Sequence, residues 1–301
     1  MTKAKELNWC ILYKKESKEE WNLPYGFANA MEKQNINLKR IEYPNSSVFK
    51  MPESDFIFKN KIQIILIFHS GFNMNLNNSL IDFRRRFPEM VIINELGDEP
   101  QTQICNYVRA SLSTISLSPD YESHMYWRNK GFNCHWFNHW ADESIFVNKK
   151  NKKRNILIGT SMGRRKYAMM LKTIFLNNFK NEKLNGYQNT DFYNSTLIAF
   201  QYARWGEITR RIFEAAASGC CVITNKLKEE KKLESIFNHN ESIILYKNRF
   251  ELLFELFKLI INKKKRERIA YNSEFIVKNS HTASARVEQL INIVDQHITE
   301  N

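Results

Sequence analysis

Residues 203–219 read ARWGEITRRIFEAAASG. Arg210 and Arg211 precede Glu214 by four and three positions, a spacing that puts all three side chains on one face of a helix. In this arginine-before-glutamate order, a solvated ion pair stabilises a helix by roughly a few tenths of a kcal/mol. Ala215, Ala216 and Ala217 argue instead for close packing on a sheet, and Gly219 ends the helix before the apolar strand CCVIT. A carboxylate in so packed an element is costly unless it meets hydrogen-bond donors. Vicinal ribose hydroxyls would supply them. Thr209 stands at the N-cap position, after a loop that contains Gly206, Glu207 and Ile208.

A second stretch has the same logic. NILIGTSMGRRKYAMMLKTIF, residues 155–175, reads as a strand, a loop with Gly159 and Gly163, and a helix opening on Arg164, Arg165 and Lys166. Cations at a helix N-terminus oppose the dipole, whereas a phosphate there would be held by free N–H groups and guanidiniums. The spacing leaves open which of the three cations would point inward. Elsewhere, Asp98 and Glu99 in NELGDEPQTQ and His69 in IFHSGF follow apolar strands and could polarise an acceptor hydroxyl. A turn and helix cap is the competing reading of NELGDEP. His135 and His139 sit among Trp136, Phe137 and Trp140 with no third ligand apparent, so a zinc site is not expected. GxxxxGK[ST] and GxGxxG are absent, as is a DxD pair to hold a metal against a diphosphate.

These residues need a frame. In the first half, strand patterns at 8–13, 62–68, 90–96 and 113–118 alternate with helical patterns at 24–35, 77–86, 101–110 and 121–131. That alternation predicts βαβ units and a mostly parallel sheet. KKNKKR at 149–154 holds no apolar residue and reads as a domain boundary. After it we expect the strand 155–159, a helix at about 164–179, a strand near 184–188, a helix from about 194, and the helix and strand of the opening stretch. The strand 242–246 and helices at 249–262, 264–278 and 281–298 complete the chain. The expectation is two doubly wound α/β domains with a cleft between them, ligands collecting beyond the carboxyl ends of the strands.

The bulk numbers agree with a folded chain of 301 residues, 43% hydrophobic and 13% aromatic, with only 9 Gly and 6 Pro. IQIILIF at 62–68 is too short to span a bilayer, and MTKAKELNW lacks the apolar core of a secretory signal. Five cysteines without a CxxC read as reduced thiols, which implies a cytoplasmic protein. The net charge of +13 implies anionic partners: nucleic acid, an acidic membrane surface or phosphorylated metabolites.

FEAAASGCCVITN resembles the donor-site signature of group 1 GT-B glycosyltransferases, most of all the branch named for spore-maturation proteins. ESIILYKNRFELLFELFKLIINKKKRERIAYNSEFIVKNSHTASARVEQLINIV is similar to that family's closing pattern, and STISLSPDYESHMYWRNKGFNCHWFNHWADESIF to the end of its N-terminal domain. The resemblance implies a GT-B fold of two Rossmann-like domains. The N-terminal, acceptor-side domain would span 1–148, joined by a returning C-terminal helix at 282–301, and a nucleotide-sugar domain would span 149–281. It also implies that Glu214 holds ribose hydroxyls and that Arg211 and Arg210 face the donor. Glu207, Ile208 and Thr209 would meet diphosphate and sugar, and Gly159, Arg164, Arg165 and Lys166 would lie where the diphosphate binds. The broader retaining family has a Glu-x7-Glu pair. Here Gly206 stands eight residues before Glu214, and Glu207 is one position late.

The activity so implied is transfer of a sugar from a nucleoside diphosphate sugar, with retention and without a metal or other cofactor. The acceptor would be a glycan or lipid-linked glycan, and the enzyme would touch an anionic membrane peripherally. A DNA-modifying transferase acting on a hydroxylated base, and a non-catalytic nucleotide-sugar or polyanion-binding module, are the alternatives.

Overall fold

The computed structural model describes residues 3–15, 22–69, 71–99, 101–161, 166–184 and 186–300. The chain divides into two compact units, residues 1–138 with 286–301, and residues 139–285.

The first unit comprises α1 (Lys3–Glu6), β1 (Trp9–Lys14), α2 (Leu23–Lys33), β2 (Leu38–Tyr43), α3 (Ser54–Asn60), β3 (Ile64–Phe68), α4 (Met74–Arg86), β4 (Val91–Glu95), α5 (Gln103–Leu112), β5 (Ile115–Ser118), α6 (Tyr121–Asn129) and β6 (Cys134–Trp136). Its six strands lie in the order β2-β1-β3-β4-β5-β6, and every pairing is parallel. β3 is buried at all five positions, as a parallel strand covered on both faces must be. Ile65, Ile67 and Ile92 of the sheet pack with Leu76, Leu80 and Phe83 of α4. Asn22, Asn73 and Asp120 cap α2, α4 and α6 by accepting from the backbone N–H of Tyr25, Leu76 and Ser123, each cap worth about 1 kcal/mol.

The second unit holds β7 (Ile156–Thr160), α7 (Ala168–Phe175), β8 (Phe179–Asn181), α8 (Gly186–Asn194), β9 (Thr196–Phe200), α9 (Arg210–Ala217), β10 (Cys221–Asn225), β11 (Ile244–Tyr246), α10 (Arg249–Ile261) and α11 (Lys263–Ser280), and α12 (Ala283–Glu300) begins in it. Its sheet, again parallel, runs β11-β10-β9-β7-β8. Ile158, Ile198, Phe200 and Ile223 form the core with Leu171 of α7 and Leu252, Leu256 and Leu259 of α10. Strand order reverses between β1 and β3 in one unit and between β7 and β9 in the other, and such switch points are where doubly wound sheets take ligands.

The α/β class and the two doubly wound parallel sheets are as expected. Three local expectations fail. The helix foreseen at 164–179 is α7, Ala168–Phe175, with a 3-10 turn to Asn178. The strand foreseen near 184–188 is β8, five residues earlier, and Gly186 starts α8. The helix foreseen from 194 ends there, and Thr196–Phe200 is β9. The edge strand β8 carries exposed Lys180 and Asn181, so it lacks the apolar run that marks a buried strand. The half-exposed edge strand β2 and the three-residue β6 went unforeseen for the same reason, and the seven-residue helix α3 is too short to show a clear helical period. Among the described residues no helix is long and apolar enough to cross a membrane.

Candidate active site

In the second unit, the polar groups collect at the carboxyl end of the sheet. Glu214 is 1% exposed on α9. Its Oε2 accepts from Asn189 Nδ2 of α8 at 2.7 Å and from Arg211 Nη1 at 3.2 Å, and Arg210 Nε lies 3.3 Å from Oε1. Arg211 also donates to the Leu184 carbonyl. The spacing thus brings Arg210, Arg211 and Glu214 together as foreseen. Two hydrogen-bond donors, Asn189 and Arg211, and the Arg210 ion pair already explain the carboxylate's buried position, and an ionised carboxylate has about four acceptor sites.

At the carboxyl ends of the same sheet's strands lie buried polar atoms with no partner. Thr160 Oγ1 ends β7, Gln201 Oε1 follows β9, and Thr224 Oγ1 is near the end of β10. Asn189 Oδ1 and Thr209 Oγ1 share that condition. β10, β9 and β7 are neighbours in the sheet. The Tyr193 hydroxyl meets Ser161 Oγ at 2.8 Å and accepts from Gln201 Nε2 at 3.0 Å, which orients the Gln201 amide and leaves its oxygen unsatisfied. Leaving a buried polar atom unpaired costs about 1–3 kcal/mol, so such a cluster calls for an explanation.

Thr209 occupies the N-cap of α9 but makes no side-chain capping bond, leaving orphan N–H groups of the first turn without that partner. Ile208 is buried. Glu207 folds back to accept from the Trp205 N–H at 2.8 Å, a local role. Gly206 sits at φ +75°, with open space where a Cβ would stand. Gly159 has a packing reason: a Cβ there would come 2.7 Å from Thr196 Oγ1 and 2.9 Å from Phe192 Cζ. Lys166 is exposed ahead of α7, its ammonium 5.1 and 5.9 Å from the ring centres of Tyr167 and Tyr202. Arg164 and Arg165 lie outside the described residues.

In the first unit His69 follows β3 and is buried. Its Nε2 lies 3.2 Å from Asn73 Nδ2, its ring packs on Phe49, and its carbonyl accepts from buried Arg109. Nδ1 has no partner. Burial, helped by the Arg109 charge, pulls the imidazole down to about 4, so it is neutral at pH 7. Asp98 is exposed with φ +58°, and its carbonyl accepts from Thr102. Glu99 is half-buried and accepts from Asn106 Nδ2 at 2.5 Å, which fits a loop-anchoring role. Burial holds its carboxyl above the usual range.

Sequence reasoning missed Glu95, the last residue of β4. Its carboxyl is pushed up to about 7, chiefly by burial and then by the Asp98 charge, against the opposing pull of Arg109. Its neighbour Asn94 is fully buried with both amide atoms unpartnered. The signal was present, since an acid ends an apolar strand in MVIINEL. All five cysteines are free and buried, and no group of three metal-ligating side chains occurs among the described residues. His135 Nε2 instead pairs with Asn133 Oδ1.

Residues 143–292 match the family described as glycosyl transferase-like. No curated protein matches the chain significantly. Sucrose-phosphate synthase from Thermosynechococcus elongatus has a similar structure (TM-score 0.70, 9% identity, covering 98% of this chain and 100% of that one). So does Anabaena HepE, solved in complex with UDP (TM-score 0.66, 10% identity, 96% and 100% covered). A glycosyltransferase from Rickettsia africae also superposes (TM-score 0.66, 9% identity, 98% and 100% covered). The chain shares the two-domain GT-B fold of these structures, and the match over residues 143–292 supports a glycosyltransferase of that type.

Proposed function

We propose that the protein transfers a sugar from a nucleoside diphosphate sugar to an acceptor hydroxyl, and that the donor binds at the carboxyl end of the second unit's sheet. The unpartnered buried atoms of Thr160, Gln201 and Thr224 on three neighbouring strands carry this reading. Polar atoms there match a ligand rich in hydroxyls and amides, such as a nucleoside. Anabaena HepE was solved with UDP, which favours a uridine donor. Within the class, FEAAASGCCVITN and HTASAR favour the spore-maturation branch.

Glu214 keeps acceptor capacity for a ribose hydroxyl. Arg210, whose side chain is 33% exposed, is the partner able to exchange the carboxylate for a phosphate. The start of α9, with Arg210 and Arg211, then stabilises charge as the diphosphate leaves. The C1–O bond to the diphosphate breaks and the acceptor oxygen bonds to C1. In the retaining course the acceptor proton passes to the departing phosphate oxygen on the same face, and these cations meet the charge without requiring a metal. A glycan or lipid-linked glycan is the acceptor class this reading favours.

The test is turnover of UDP-, GDP-, ADP- and dTDP-sugars, followed as nucleotide release with and without glycan acceptors, beside calorimetric binding. One donor should be consumed, and Glu214→Gln should weaken its binding about tenfold or more. Donors that bind and are never consumed would leave a binding module. Salt-sensitive affinity for duplex DNA, with transfer to it, would move the acceptor to nucleic acid.

A further inference from the structure

Helix α10, RFELLFELFKLII, is apolar on both sides. Leu252, Leu256 and Leu259 are buried against the sheet. On the opposite face Phe250, Phe254, Phe257 and Ile261 are 69, 58, 47 and 83% exposed. Their spacing of four, three and four residues makes one continuous stripe. A helix with two apolar faces ordinarily buries both, yet the rings of this stripe stay about half or more exposed. Phe257 also touches Phe175 at the end of α7, beside exposed Ile174 and Leu176, so the apolar surface extends beyond the helix.

The rim is basic. Residues 247–268 carry eight Lys or Arg against three Glu, and all of the eight but buried Arg266 and half-buried Lys265 are exposed. Arg249 lies over the Phe250 ring at 4.8 Å and Lys258 over the Phe254 ring at 3.9 Å. Lys263 and Lys264 follow Ile261 and are exposed. The three acids are engaged: Glu255 is buried with Lys258 and Lys265, Glu251 accepts from the Lys247 N–H, and Glu267 lies by Lys263.

We infer that the exposed face of α10 docks on an anionic phospholipid bilayer, with Phe250, Phe254, Phe257 and Ile261 entering the interface and the basic rim meeting lipid phosphates. A 13-residue helix is about 20 Å long, too short to span, and suited to lying in the interfacial plane. Charge separates this occupant from the others. A second copy would set one basic rim against another in a chain of net charge +13. Nucleic acid would answer the lysines and leave the phenylalanine stripe in water.

The test is sedimentation of the full chain with vesicles of phosphatidylcholine alone or mixed with phosphatidylglycerol. Binding is expected to the mixed vesicles only. It should fall roughly tenfold or more in Phe254→Ser/Phe257→Ser and in Lys263→Glu/Lys264→Glu, with circular dichroism and nucleotide affinity unchanged. If the serine variant fails to fold, Phe254→Trp decides: on mixed vesicles it gains a blue-shifted emission component. Failure of the wild-type chain to bind mixed vesicles, equal binding by the folded variants, or no emission shift would overturn the inference. So would a stable dimer that the serine variant dissolves.

Discussion

At Glu214 one carboxylate meets two guanidiniums and an amide in a nearly dry place. Removing one member of such a group strands the others, at a cost of about 3–5 kcal/mol for a fully buried pair. Arg210 is partly solvated, so we expect Glu214→Ala to lower unfolding stability by about 2–4 kcal/mol in urea titrations. A loss no larger than a surface substitution's would mean that the carboxylate is not held as described. Glu95 makes the opposite kind of prediction. Its folded-state value of about 7 exceeds that of an unfolded glutamate, so the folded chain holds this proton more tightly. The stability it contributes is complete below the unfolded value and is lost as pH rises to about 7. Glu95→Gln should therefore melt above the wild type at pH 8, the gap closing toward pH 4. A gap independent of pH would contradict the burial assigned to this carboxyl.

Elements fix where these side chains stand, and the sequence disclosed them unevenly. β3 and β10 were legible because IILIF and CVITN are buried nearly throughout. β8 was not, because FKN is one buried residue and two exposed ones. The trio on α9 was legible because helical spacing alone brings its members together. Asn189 on α8 was invisible as its partner, since that contact spans 25 residues and depends on the packing of α8 against α9. Gly159, expected beside the diphosphate, has a packing requirement that its sequence position did not disclose: Phe192 and Thr196 leave no room for a Cβ. Gly159→Ala should accordingly destabilise the second unit by about 1–3 kcal/mol through overpacking, measured by thermal or urea unfolding. A neutral effect would show that Phe192 yields easily.

Across the whole molecule, two parallel sheets each present the carboxyl ends of their strands with polar residues that their own unit leaves unsatisfied. Filling the second unit's set should be visible as stability. A donor nucleotide at a hundred times its dissociation constant should raise the unfolding free energy by about 2.7 kcal/mol, provided that it does not bind the unfolded chain. Differential scanning calorimetry reads this directly, and a nucleotide that binds without raising the midpoint would be engaging unfolded chain as well. The most direct test of the central assignment is a crystal structure with UDP-glucose bound. The account predicts the ribose on Glu214, the diphosphate at the start of α9, and the idle oxygens of Thr160, Gln201 or Thr224 turned to the ligand. A nucleotide seated elsewhere, with Glu214 still meeting only Asn189, Arg210 and Arg211, would contradict it.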